Sequence, residues 1–228
     1  MSRLHPIRLL VVTCATLLAL MACSHDRPSS TARAGDDFFS AGAEVHFSGN
    51  VSGDVLLAGG EVRSDGTVGG DAVVAGGSVA VLGLVGEDLY AAGGELRVSA
   101  RVDGSARLAG GDVEITREAQ IADGLTVTGG DIDIDGRIGS YLIAMGGHIR
   151  INGTVDGDVT VNAGQLSIGP DAVIQGTVTY RGPEQPEISP GAQISGGVRH
   201  VSRERARGEG MRRLAGGAAI VWFVGWLI

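Results

Sequence analysis

A single-stranded β-solenoid (β-helix) with about 17 residues per coil is the all-β fold this sequence predicts. Three observations predict it: glycine pairs recur at a fixed interval, five aliphatic columns repeat in register with them, and no segment carries helical periodicity. The pairs stand at Gly59-Gly60, Gly76-Gly77, Gly93-Gly94, Gly110-Gly111, Gly129-Gly130 and Gly146-Gly147, with Ala163-Gly164 as a seventh, so the steps are 17, 17, 17, 19, 17 and 17 residues. Other glycine-rich classes do not fit. Collagen needs Gly at every third position and abundant Pro, whereas the 39 Gly here follow no such period and Pro numbers 6. Evenly spaced Val, Ile and Leu through the middle of the chain argue against disorder.

Aligned on the pair, successive coils read GDVLLAGGEVRSDGTVG and GDAVVAGGSVAVLGLVG. One coil places aliphatics at Leu125, Val127, Ile132, Ile134 and Ile138, the next at Leu142, Ala144, Ile149, Ile151 and Val155, and the next at Val159, Val161, Leu166, Ile168 and Ile174. Each set is two i, i+2 pairs and a single, the period of a strand with one buried face. Glycines break the apolar pattern at the pair and at a second column, Gly49, Gly66, Gly83, Gly136 and Gly153. This predicts three short strands per coil, joined by corners at which Gly supplies the backbone angles. One coil buries too little apolar surface to offset the entropy of ordering it, so coils must stack and extend a common core. The array is expected over residues 42–201, about nine coils, giving a rod of roughly 40 Å at one strand spacing per coil. Pro183, Pro186 and Pro190 predict a loop that leaves and rejoins the last coils.

Outside the array, Arg3 and Arg8 precede an apolar run from Leu9 to Ala22, which marks residues 1–23 as an export signal. Leu20-Met21-Ala22-Cys23 resembles a lipobox and makes Cys23 the candidate lipidation site. Residues 24–41 are expected to be a linker, 202–213 an arginine-rich juxtamembrane segment and 214–228 the start of a C-terminal transmembrane helix. These flanking membrane segments place the solenoid on the extracytoplasmic side of a bacterial cell envelope. Cys14 and Cys23 are the only cysteines, so the array has no disulfide and is held by packing alone. A net charge of −8 argues against nucleic acid as a partner.

The Gly-punctuated G-x-[VI]-x-G grammar of residues 42–201 resembles that of the bactofilins, polymer-forming cytoskeletal proteins of bacteria. Together with the signal, Tyr180-Arg181-Gly182-Pro183 and the apolar C-terminus, it is similar to exported, membrane-anchored members of that group. The resemblance implies a right-handed, triangular β-helix that polymerises end to end without nucleotide.

The residues themselves point away from catalysis. No GxSxG, Walker loop, HExxH or paired-cysteine motif occurs, so no catalytic, cofactor-binding or metal residues are assigned. A hexapeptide-repeat acyltransferase would need 18-residue coils and a catalytic histidine; here the coil has 17 and His148 stands alone beside a Gly pair, as a surface corner residue. Asp131-Ile132-Asp133-Ile134-Asp135-Gly136 opens like a calcium loop, but Leu142 stands where the bidentate Glu belongs, so the run reads as a strand with one wet face. The column Asp54, Asp71, Asp88 and later Asp158 is a weak calcium candidate or simply a stack of carboxylates. A non-enzymatic scaffold that associates through its solenoid ends or docks a partner is the expected function. Terminal coils expose strand edges and core, and Phe38 and Phe39 are candidates to cap the N-terminal one. The alternative is an envelope binding module using a flat face for polysaccharide or protein, although Tyr90, Tyr141 and Tyr180 are too scattered for an aromatic ladder.

Overall fold

Side chains that alternate inward and outward, punctuated by glycine, build a stack of parallel coils in the computed structural model, which describes residues 30–202. It contains 22 strands and, among the described residues, no helix. A typical coil holds one ten-residue strand and one two-residue strand, as in Val55–Ser64 with Thr67–Val68 and Leu142–Ile151 with Thr154–Val155. Each strand pairs in parallel with its counterpart one coil on: Val55 lies on Ala72, Ala72 on Leu89, Leu89 on Ala106. The result is a β-solenoid of about ten turns, its long strands in a 13-stranded sheet and its short ones in a 9-stranded sheet. The signal segment, Cys23, the arginine-rich stretch beyond Ser202 and the expected helix at 214–228 lie outside the described residues.

The five aliphatic columns face inward as predicted. Leu125, Val127, Ile134 and Ile138 are 0% exposed and Ile132 is 2% exposed, and the equivalent positions of neighbouring coils join them in one continuous core. Within the long strand the inward positions run 55, 57, then 62, 64, so the two-residue alternation slips by one across Gly59-Gly60. That slip is the corner. Hydrogen bonding nevertheless continues through it, because Gly59, Gly76 and Gly93 stack in register, and the expected three strands per coil become two. The long strand divides at Gly129-Gly130, into Leu125–Thr128 and Asp131–Ile134, and again in the proline-containing coil, into Val178–Gly182 and Glu187–Ile188.

The corner glycines answer to close approach rather than to backbone angle. Among the described residues only Gly35 and Gly197 have positive φ, so at the other corners a backbone angle closed to other residues is not what calls for Gly. A Cβ at Gly77 would instead stand 2.9 Å from the Gly60 carbonyl oxygen of the coil below, and one at Gly83 would overlap the Gly66 carbonyl oxygen. The irregular step of 19 residues is a β-turn at the second corner, where the Ala119 N–H donates to Thr116 O at 3.0 Å. The same insertion recurs at Gly169–Ala172 and Ser189–Ala192.

The proline segment does not leave the stack. Glu187–Ile188 and Gln193–Ile194 pair in parallel with the coil beneath, Ile168 on Ile188 and Ile174 on Ile194. Pro183 and Pro186 fill the corner where a Gly pair would stand and Pro190 sits in the β-turn, so the coil widens to 20 residues at these registers instead of looping out.

Candidate assembly surface

The two ends of the stack differ. At the N-terminal end, Ser30–Ala34 turns back through Gly35-Asp36 and pairs antiparallel with residues 37–41, covering part of the first coil's edge. Gly35 has φ 64°, as a two-residue hairpin loop requires at that place. Stacked pairing therefore begins at Phe38, ahead of Gly42. Phe38 takes the inward column and its ring lies 5.1 Å from that of the buried Phe47, closing the core, with the Arg33 guanidinium 5.6 Å above it. Phe39 occupies the next, outward column and has no part in the cap.

At the C-terminal end the last strand among the described residues is Val198–Ser202, paired to Val178–Gly182 on one side only. Ile188 (44%), Val198 (38%) and Val201 (42%) are exposed there, and Ile194 is half-buried. Beneath them Tyr180, wholly buried, fills the inward column above Val161. Its hydroxyl donates to Gly164 O at 3.2 Å, and its ring stacks 5.3 Å from His200.

The aspartate column proves to be a hydrogen-bonding ladder. Asp37 Oδ1 accepts from Asp54 N, Asp54 Oδ1 from Asp71 N and Asp71 Oδ1 from Asp88 N, each at 2.9 Å, and Asp88 Oδ1 accepts from Ser105 N at 2.8 Å. Asp158 does the same for Thr177 N. Each carboxylate thus satisfies a corner N–H that the strand ladder leaves over. The preceding glycine makes room, since a Cβ at Gly104 would lie 2.6 Å from Asp88 Oδ1. This accounts for the Gly-Asp dipeptide of the repeat. Among the described residues no group of three or more His, Cys, Asp or Glu side chains is arranged to hold a metal ion.

Asp71 shows what the stacking costs. Burial raises its pKa above the ordinary 3.8; the Asp88 N–H opposes this, while the Asp54 and Asp88 carboxylates add to it. Between 3.8 and the raised value the folded chain binds more protons than the unfolded one, so this group adds stability as pH falls through that window. Asp71→Asn is expected to keep the Oδ1 acceptor, remove that pH dependence and leave the protein at least as stable at pH 7. Asp71→Ala strands the Asp88 N–H and is expected to cost about 1–2 kcal/mol in urea denaturation.

The second face of the coil carries the charges. Ile132 and Ile134 are buried while Asp131 and Asp133 point outward, which makes the Asp-Ile run a one-sided strand. Asp131 Oδ1 lies 2.9 Å from His148 Nδ1 and Asp133 Oδ1 accepts from Arg150 Nε at 2.7 Å. His148 is on an exposed strand position, its Nδ1 against the Asp131 carboxylate, rather than at a corner. On the third face a shallow groove is lined by Arg101, Asp103, Gln120, Arg137 and Asp156, whose arginines are paired to Asp103 and Asp156. The tyrosines lie apart: Tyr90 outward on the first face, Tyr141 at the aspartate-column corner over Gly124, Tyr180 inside the core.

Comparison with protein-family models, with curated proteins and with solved structures returns no match for this chain. The geometry defines a class: an all-β, parallel β-solenoid whose first coil is partly covered by an antiparallel strand.

Proposed function

We propose that this chain is a non-enzymatic structural protein of the bacterial cell envelope, a bactofilin-like solenoid tethered to a membrane that associates with itself through its ends. The observation that carries this reading is the C-terminal end, where, among the described residues, Val198–Ser202 is paired on one side only and adjoins exposed Ile188, Val198 and Val201. Unsatisfied edge groups and apolar side chains at one place favour a partner that extends the sheet. Right-handed coils fit the general handedness of parallel crossovers, and three apolar segments separated by corners suit a triangular section. Lipidation at Cys23 and an anchor in residues 214–228 would hold the solenoid at the membrane on its extracytoplasmic side.

Electron microscopy and light scattering on the full-length chain in detergent test the assembly. The expected result is a concentration-dependent rise in mass with elongated particles, lost in an Ile188→Arg, Val201→Arg double variant. A strictly monomeric species at high concentration would defeat the proposal. Mass spectrometry of the mature N-terminus tests the tether at Cys23.

A further inference from the structure

The outward side of the first segment of each coil is nearly free of charge over seven successive coils. One outward column holds Leu56, Val73 and Tyr90, and its neighbour holds Ala58, Ala75 and Ala92, all half-buried or exposed. Phe39 and Ala41 extend these columns at one end, Ile143 and the 43% exposed Met145 at the other. The one charge, Arg107, is neutralised within the chain: its guanidinium lies 3.0 Å from Asp88 Oδ2 and 5.2 Å over the Tyr90 ring. A glycine ladder borders the face on one side and the aspartate ladder of Asp54, Asp71 and Asp88 on the other, its carboxylates drawn onto the N–H groups of the next coil. The second segment of the same coils presents Glu61, Arg63, Glu95 and Arg97. The asymmetry has no counterpart in the packing of the core, which is alike behind both faces.

We propose that this face docks a second copy of the chain laterally, sheet on sheet, about a two-fold axis. Charge and area argue for that occupant. Two copies at net charge −8 repel one another broadly, and the uncharged face is where they approach without like charges meeting. An anionic bilayer would be repelled by the same acidic surroundings, the aspartate ladder at the border of the face among them. The face spans eight strands, from Ser30–Ala34 to Leu142–Ile151. At ordinary strand and residue spacings, with four to five residues of each strand on the face, that is roughly 550 Å² per copy, or about 1,100 Å² once both copies are counted, the low end for a specific interface. Such a contact is isologous and closes on itself, so it pairs chains side by side and is independent of contact through the ends.

Site-specific cross-linking tests it. In the full-length chain in mild detergent, with Cys14→Ser and Cys23→Ser, a single cysteine is placed on the first face (Val73→Cys) or on the second face of the same coil (Ala80→Cys), and a flexible bis-maleimide is added. Val73→Cys is expected to cross-link into dimers about tenfold more than Ala80→Cys, and Leu56→Glu to abolish the difference through like-charge juxtaposition. Circular dichroism and Tm unchanged by Leu56→Glu confirm that the fold is kept, and Val201→Arg is expected to leave the cross-link intact. Equal yields at the two positions, or none at Val73→Cys, overturn the proposal. So does protection of Val73→Cys from maleimide by phosphatidylglycerol vesicles without dimer formation, which would assign the face to a bilayer.

Discussion

Gly83→Ala is expected to lower the stability of the solenoid by about 3 kcal/mol, the upper range for forced overpacking. The same change at Gly49 is expected to cost no more than about 0.5 kcal/mol. The two residues belong to one corner column. A Cβ at Gly83 would overlap the Gly66 carbonyl oxygen and press on the Asp65 and Gly66 backbone, which only a wider coil spacing relieves. Gly49 begins the column, and a Cβ there meets only the Phe47 ring at 3.6 Å, an ordinary contact. Alanine occurs naturally in this column only where the corner takes another path. Ala119 and Ala172 close β-turns, and Ala100 does not make the N–H bond that Gly83 and Gly153 donate to Ser64 O and Ile134 O. Urea denaturation of the two variants, followed by circular dichroism, decides the matter. Equal midpoints would show that this column does not set the distance between coils.

Tyr180→Ala is expected to be as damaging, at about 4 kcal/mol, because it empties a large site that neighbouring backbone cannot collapse to fill. Tyr180 is the bulkiest wholly buried side chain, and a Cβ at Gly182 would overlap its hydroxyl, so the coil is shaped around it. Tyr180→Phe keeps the ring and is expected to cost about 1 kcal/mol for the lost hydrogen bond to Gly164 O. Burial also raises the pKa of the hydroxyl above 10.0, with Glu184 adding to it. The stability this supplies is complete below the unfolded value and is lost as pH rises through the folded one, a loss that Tyr180→Phe is expected to lack. Because His200 stacks on the ring, the alanine variant should also loosen Val198–Ser202 and with it the end proposed for assembly. Light scattering that falls for Tyr180→Ala but not for Tyr180→Phe is the expected pattern.

The repeat was legible because a solenoid writes its period into the chain. Every coil meets the same neighbours, so Leu125, Leu142 and Val159 face the same core and the columns repeat with the coil. Features used only once left weaker marks. Ser30–Ala34 falls inside the segment expected to be a linker, and the one local sign of its hairpin is the two-residue Gly35-Asp36 loop. Tyr180 alternates as a core residue would, but that its ring fits inside is decided by Gly182 beside it, whose missing side chain leaves the room the hydroxyl takes. For the ends the pattern named Phe38 and Phe39 alike as cap candidates, and pairing register alone separates them, Phe38 on Val55 and Phe39 on Leu56.

Periodicity by itself therefore determined the coil length, the inward columns and the need to stack, since all three follow from which residues recur at fixed intervals. Only the tertiary structure decided what the glycines and aspartates are for. Their partners, the Gly66 carbonyl beneath Gly83 and the Asp88 N–H above Asp71, lie a whole coil away, and a contact between coils is fixed by the spacing of backbones rather than by neighbours along the chain.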